Sequence, residues 1–143
     1  MDRIMSKKKT VVDEMMAEVV KFREDRNWRQ YHNPKDLALG MIIEASELAE
    51  HFQYWQGEEL YQNIEKFKTE IGEELSDVLY WVLLTAHDMD IDLVAAFKDK
   101  MQKNAKKYPA QEQVGKGFDR NFAKDDELAR RAVAAKKAKA TQE

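Results

Sequence analysis

The chain has 143 residues, 43% of them hydrophobic and 36% charged, which suits a single domain with a core and excludes a wholly disordered chain. With no Cys it has no disulfide, thiolate zinc site or cysteine nucleophile, and with only 5 Gly and 2 Pro it lacks the turns of an all-β fold. Net charge is −3, but residues 34–109 hold 15 acids against 8 bases, an acidic middle unlike a nucleic-acid-binding surface.

Residues 1–9 (MDRIMSKKK) are basic and aperiodic and read as a flexible end. They carry no apolar signal-peptide stretch, and the chain has no run of about 18 apolar residues, so a cytosolic protein outside the membrane is the expectation. From Thr10 a helical pattern begins: Val12, Met15, Val19 and Phe22 recur at helical spacing, with Thr10 or Asp13 as cap and an end near Arg26 or Trp28. Asn33-Pro34 starts a second helix. Asn caps it, Pro occupies the first turn where no N–H is needed, and Asp36 suits the positive end of the dipole. This helix is expected over about 34–55, with Leu37, Met41, Leu48 and Phe52 as its stripe and Gly57 ending it.

A third helix fits roughly 60–88, and its centre, Val78 to Ala86, is apolar nearly all round and so expected to be the most buried. The fourth is expected to start at Asp90 and to align Leu93, Phe97, Met101 and Asn104. Lys106 and Lys107 favour its C-terminal end and Tyr108-Pro109 stops it. The Gly-containing stretch QEQVGKGFDRNF then reads as a loop, and the Ala- and Lys-rich end as a frayed helix or disorder. The fold class is therefore all-α, an antiparallel up-and-down bundle of four main helices.

Two acid pairs stand out. Glu44 and Glu47 are three apart on the second helix, which stacks their carboxylates on one face. Leu37, Met41, Glu44 and Leu48 follow at helical steps, so Glu44 lies in line with apolar residues. Glu74 and Asp77 repeat the arrangement on the third helix beside Ile71, Val78 and Val82. A semi-buried quartet of carboxylates must be protonated or matched by cations, and no Lys or Arg lies in these stripes within a turn. Oxygen ligands suit a hard divalent cation, Mg²⁺ first with Mn²⁺ as substitute. A di-iron bundle would need Glu-x-x-His, whereas the residues three before His51 and His87 are Leu48 and Leu84. No phosphate-binding Gly loop or nucleophile elbow is present. Flat rings are plentiful nearby: Trp28, Tyr31 and His32 before the second helix, Tyr54 and Trp55 at its end, Tyr80 and Trp81 after Asp77. They either fill the core or stack a base.

The run FREDRNWRQYHNPKDLALGMIIEASELAEHFQYW, then EELSDVLYWVLLTAHDMDIDL, then KMQKNAKKYP, resembles the MazG-like all-α nucleoside triphosphate pyrophosphohydrolases, and among them the small dCTP pyrophosphatase group. The resemblance covers roughly residues 15–110 and rests on ExxE (Glu44-Ala-Ser-Glu47), ExxD (Glu74-Leu-Ser-Asp77), the WRQYHNP segment and the KYP end. It implies a Mg²⁺-dependent hydrolase that cleaves a nucleoside triphosphate, dCTP or a modified pyrimidine, to the monophosphate and pyrophosphate. It also implies bundles pairing into a dimer or tetramer with the site near a subunit interface; with the element pattern above, the chain divides into a helical catalytic domain over 10–109 and a loop and basic tail over 110–143. Glu44, Glu47, Glu74 and Asp77 match the family's metal ligands, and Glu47, with Glu44 and Asp77, is the expected catalytic group. Trp28 and His32 match base-pocket positions, joined by Tyr54, Trp55 and Trp81. Asn104 and Lys107 match positions facing the triphosphate, with Arg23 or Lys68 as further cations.

Two departures bear on the base and not on the metal: Tyr54 stands where members carry a Trp, with Trp55 following, and Trp81 stands where a Tyr is common. A dUTP-directed diphosphatase and a non-enzymatic helical interaction protein are the alternatives.

Overall fold

A computed structural model describes residues 9–110 and 120–141, with residues 120–125 described by their backbone alone. The protein is all-α: among the described residues there is no strand.

Helix α1 spans Val11–Glu24 behind a reciprocal cap. The Thr10 hydroxyl accepts the Asp13 N–H at 3.2 Å while the Asp13 carboxylate accepts the Thr10 N–H at 2.7 Å. Asn27, in the left-handed region at φ 53°, turns the chain into a short 3₁₀ segment, Trp28–Tyr31. Helix α2, Pro34–Glu50, begins as its sequence indicates: the Asn33 side chain accepts from the Lys35 and Asp36 N–H groups, both at 3.0 Å.

Helix α1 ends at Glu24, short of the expected Arg26 or Trp28, and three further boundaries differ from the sequence expectation. Helix α2 ends at Glu50, not near Trp55, and Gly57 opens the next helix rather than closing this one. Residues 51–54 form a tight turn that carries the Trp55 ring onto Phe67, stacked at 5.6 Å and 16°. Burial of that indole outweighs another turn of helix. Secondly, the expected helix over 60–88 is two, α3 (Gly57–Lys66) and α4 (Lys68–Asp88), broken at Phe67 with φ −107° and ψ 25°. No Pro or Gly marks this break, because it is imposed by the ring stack. Thirdly, Asp90 is not a cap. It adopts φ 53°, and Asp92 caps α5 (Leu93–Lys107) by accepting the Ala95 N–H at 3.0 Å. Lys106, Lys107 and the Tyr108 stop fall as expected.

Helices α2 and α4 pack along one another and α1 packs on α4, burying Leu37, Leu83, Leu84 and Ala86. The expected all-round burial of Val78 to Ala86 holds for its C-terminal half only, since Leu79 is exposed. At the α1–α4 crossing Arg23, 0% exposed, makes a bidentate pair with Asp88 at 2.7 and 2.9 Å. Helix α5 buries none of its residues.

Helix α6, Arg120–Ala140, lies on α3. It buries Ala129, and Arg130 donates to the Tyr61 hydroxyl at 3.0 Å, Tyr61 to Asp126, and Lys136 and Lys137 to Glu58 and Glu65. Most of the basic N-terminus and of the loop read after Pro109 (residues 1–8 and 111–119) lies outside the described residues.

Candidate active site

The α2–α4 packing brings the two acid pairs together. One carboxylate oxygen from each of Glu44, Glu74 and Asp77 lies within 4.8 Å of the others, a set that a single divalent cation can gather. Glu44 and Glu74 are half-buried and Asp77 is exposed. Oε2 of Glu74 is fully enclosed and has no hydrogen-bond partner among the described residues. A buried carboxylate oxygen without a donor is costly, and a cation is the partner that the chemistry of this donor set offers. The residues present therefore fit a hard divalent metal.

Glu47 stands beside the triad and not in it. It is exposed, yet its carboxyl titrates above the usual carboxylate range. The nearest cause is the charge of Glu44, followed by partial desolvation and the charges of Glu74, Glu50 and Asp77.

The acids separate two hollows, each of about 450 Å³. Glu44 and Asp77 open onto an aromatic one, lined by Phe22, Trp28, Tyr80 and Trp81 together with Glu18, Val19 and Ser76. Phe22 meets Trp28 edge-on at 5.8 Å and Tyr80 at 6.0 Å, and the Arg26 guanidinium lies 3.5 Å over the Phe22 ring. Trp81 donates from Nε1 to Glu44 Oε1 at 3.3 Å. Glu47 and Glu74 open onto the other hollow, together with Glu50, His51 and Trp55. There His51 Nε2 approaches Glu74 Oε1 to 4.0 Å.

Among the base-pocket expectations, Trp28, Trp55 and Trp81 each line one of these hollows. His32 does not line the first but meets Trp81 edge-on at 5.3 Å, and desolvation followed by the nearby Arg23 charge lowers its pKa. Tyr54 is 81% exposed and lines neither hollow, because the turn after α2 hands the inward place to Trp55. Asn104 and Lys107 lie on α5, and no hydrogen bond or ion pair among the described residues joins them to the carboxylates; Lys107 Nζ sits 5.2 Å over its neighbour Tyr108. Arg23 is engaged by Asp88 inside the protein and offers no charge to a phosphate at the surface. Sequence reasoning missed Phe22 and His51 as site-lining residues. Phe22 reads as ordinary helix stripe, but His51 lies four residues past Glu47 and directly after Glu50, a helical spacing that pointed there.

Residues 41–118, just over half of the chain, match the sequence profile of the MazG-like family. The chain is 37% identical over 92 residues to dCTP pyrophosphatase 1 of Rattus norvegicus and 38% over 91 residues to that of Homo sapiens. These alignments cover 62% of this chain and 53% and 54% of those proteins, so the chain spans about half the length of the curated relatives it matches. A crystal structure of a pyrophosphatase from Archaeoglobus fulgidus superposes with a TM-score of 0.67 at 36% identity, covering 73% of this chain and 98% of that one.

Proposed function

The chain belongs to the MazG-like family, and from that premise we propose that it is a divalent-metal-dependent nucleoside triphosphate pyrophosphohydrolase, with dCTP or a modified pyrimidine deoxynucleotide as substrate. The observation that carries the reading is the Glu44–Glu74–Asp77 triad, with its enclosed, unpartnered Glu74 oxygen, opening onto a ring-walled hollow. The names of the relatives, dCTP pyrophosphatase 1 and pyrophosphatase, point the same way.

Glu44, Glu74 and Asp77 would hold the cation, Mg²⁺ or Mn²⁺ by ligand type. When bound, it supplies Lewis-acid polarisation of phosphoryl oxygens and charge neutralisation. The chain's own groups do the rest. Trp28 and Trp81 offer flat rings to a base, a contact worth about 1–3 kcal/mol. Glu47 orients a water and takes its proton. That water's oxygen bonds to the α-phosphorus as the bond from the α-phosphorus to the α–β bridging oxygen breaks, and pyrophosphate leaves. Glu47 suits that role because it stands exposed beside the triad and outside it.

Self-association belongs to the same reading. Leu39, Ile42 and Ile43 on α2 and Leu75 and Leu79 on α4 are all exposed, a greater apolar surface than a monomer of this size needs. A dimer or tetramer covers it.

The test is hydrolysis of a panel of canonical and modified deoxynucleotides with Mg²⁺, read as pyrophosphate release. Glu47→Gln is expected to lower kcat by about 10²–10⁴-fold with the fold intact. Preference for dUTP would move the substrate to the alternative diphosphatase. No release from any nucleotide with Mg²⁺ or Mn²⁺ would leave a non-catalytic helical protein.

A further inference from the structure

The structure assigns a positioning role to Gly40, a residue outside both acid pairs: its bare backbone seats the Trp81 ring, and the seated ring both orients Glu44 and walls the aromatic hollow. The inference rests on the metal and nucleotide reading above.

Gly40 lies on α2 one helical turn before Glu44, so the two share a face. Gly40 is buried, and what covers it is the fused part of the Trp81 indole. A Cβ built on Gly40 would stand 2.7 Å from both Cδ2 and Cε2 and 2.8 Å from Cε3 of that ring. Those three atoms belong to a rigid bicycle, so no small rotation of a flexible end relieves the overlap; the whole ring must move. The same ring is held at three other points, one of them the Tyr80 ring, edge-on at 5.5 Å. Its Nε1–H donates to Glu44 Oε1 at 3.3 Å, and the His32 ring meets it edge-on at 5.3 Å.

Two consequences follow. The indole has one polar atom, and Glu44 takes it, so toward a ligand Trp81 presents carbon alone: it selects by shape and stacking, not by hydrogen bonding. A donor on Glu44 also fixes the carboxylate that must meet Glu74 and Asp77, the kind of outer contact that orients a metal ligand. The Cα of Gly40 thus sets base wall and metal ligand together through a single ring.

Three variants test this: Gly40→Ala, Trp81→Phe, and the pair combined. Melting without metal reads the seat. Gly40→Ala is expected to lower Tm by about 5 °C, overpacking outweighing the better helix propensity of Ala. In the Trp81→Phe background the same change should cost little, since the smaller ring leaves room for the methyl. Equal Tm losses in both backgrounds, or none in either, overturn the seat. Mn²⁺ titration by calorimetry reads the link to Glu44. Trp81→Phe and Gly40→Ala should each weaken Mn²⁺ by about 10-fold. Wild-type affinity in Trp81→Phe overturns the link. Absence of Mn²⁺ binding by the wild type overturns the metal reading and the link with it, while the melting result still decides the seat. In turnover, Gly40→Ala should raise KM for the nucleotide more than it lowers kcat at saturating metal, a split that general loosening of the fold does not give.

Discussion

Arg23 and Asp88 are the residues on which the α1–α4 crossing turns. A guanidinium with no exposed surface is tolerable only while Asp88 holds it, and removing one partner of such a pair costs about 3–5 kcal/mol. The hydrogen bond from Arg23 depresses the Asp88 carboxyl from 3.8 to about 2, and burial only partly opposes it. The stability it contributes, about 2 kcal/mol by linkage, is therefore complete above pH 4 and is lost as pH falls through 2. Chemical denaturation between pH 5 and pH 2 should show this slope in the wild type. Asp88→Asn should be less stable at pH 7 and should lose that part of the acid dependence; an unchanged slope contradicts the assignment. At this scale the sequence was most legible for acids. Glu44, Glu47, Glu74 and Asp77 could be singled out because each pair keeps helical spacing and lies in line with apolar residues. The standing of Glu47 outside the triad, the exchange of Tyr54 for Trp55 and the importance of Gly40 were not legible, since each depends on which side chain a tertiary neighbour leaves room for.

Among the elements, α6 departs furthest from its composition. An Ala- and Lys-rich segment with few large apolar residues forms a 21-residue helix because α3 offers Glu58, Glu65 and Tyr61 to its cations and a place for Ala129. The ion pairs are solvent-exposed and contribute little. Burial of the small Ala129 face is what lets the helices approach. Ala129→Asp is accordingly expected to undock α6, seen as loss of amide-exchange protection over residues 126–140 with α2 and α4 unchanged. Glu58→Gln with Glu65→Gln should leave that protection nearly intact. Retained protection in Ala129→Asp would put the docking energy in the charges instead. Of the helix starts with side-chain caps, Asn33 was readable and Thr10 was one of two candidates, because the cap bonds only local backbone, whereas Asp92 was passed over for Asp90 two residues earlier. The α3–α4 break was not, because the Trp55–Phe67 stack that causes it joins residues twelve apart.

For the molecule as a whole, composition and periodicity were enough for the all-α class, and the fold carries more apolar surface than its interior uses. Ile42, Ile43 and Leu75 are each more than half exposed, and a second copy is the cover that the proposed function calls on. Sedimentation should then show an assembly whose Tm rises with protein concentration. Ile42→Glu combined with Leu75→Glu should yield a monomer with lower Tm, whereas a wild type that sediments as a monomer at all concentrations refutes the assembly. The remaining consequence comes from the acids standing as a partition between two hollows of equal size. The two differ in what they tolerate: Glu47, Glu50 and Glu74 line one with neither Lys nor Arg among its lining residues, so an anionic fragment can rest there only with a cation beside it, whereas the ring-walled one receives an uncharged base without help.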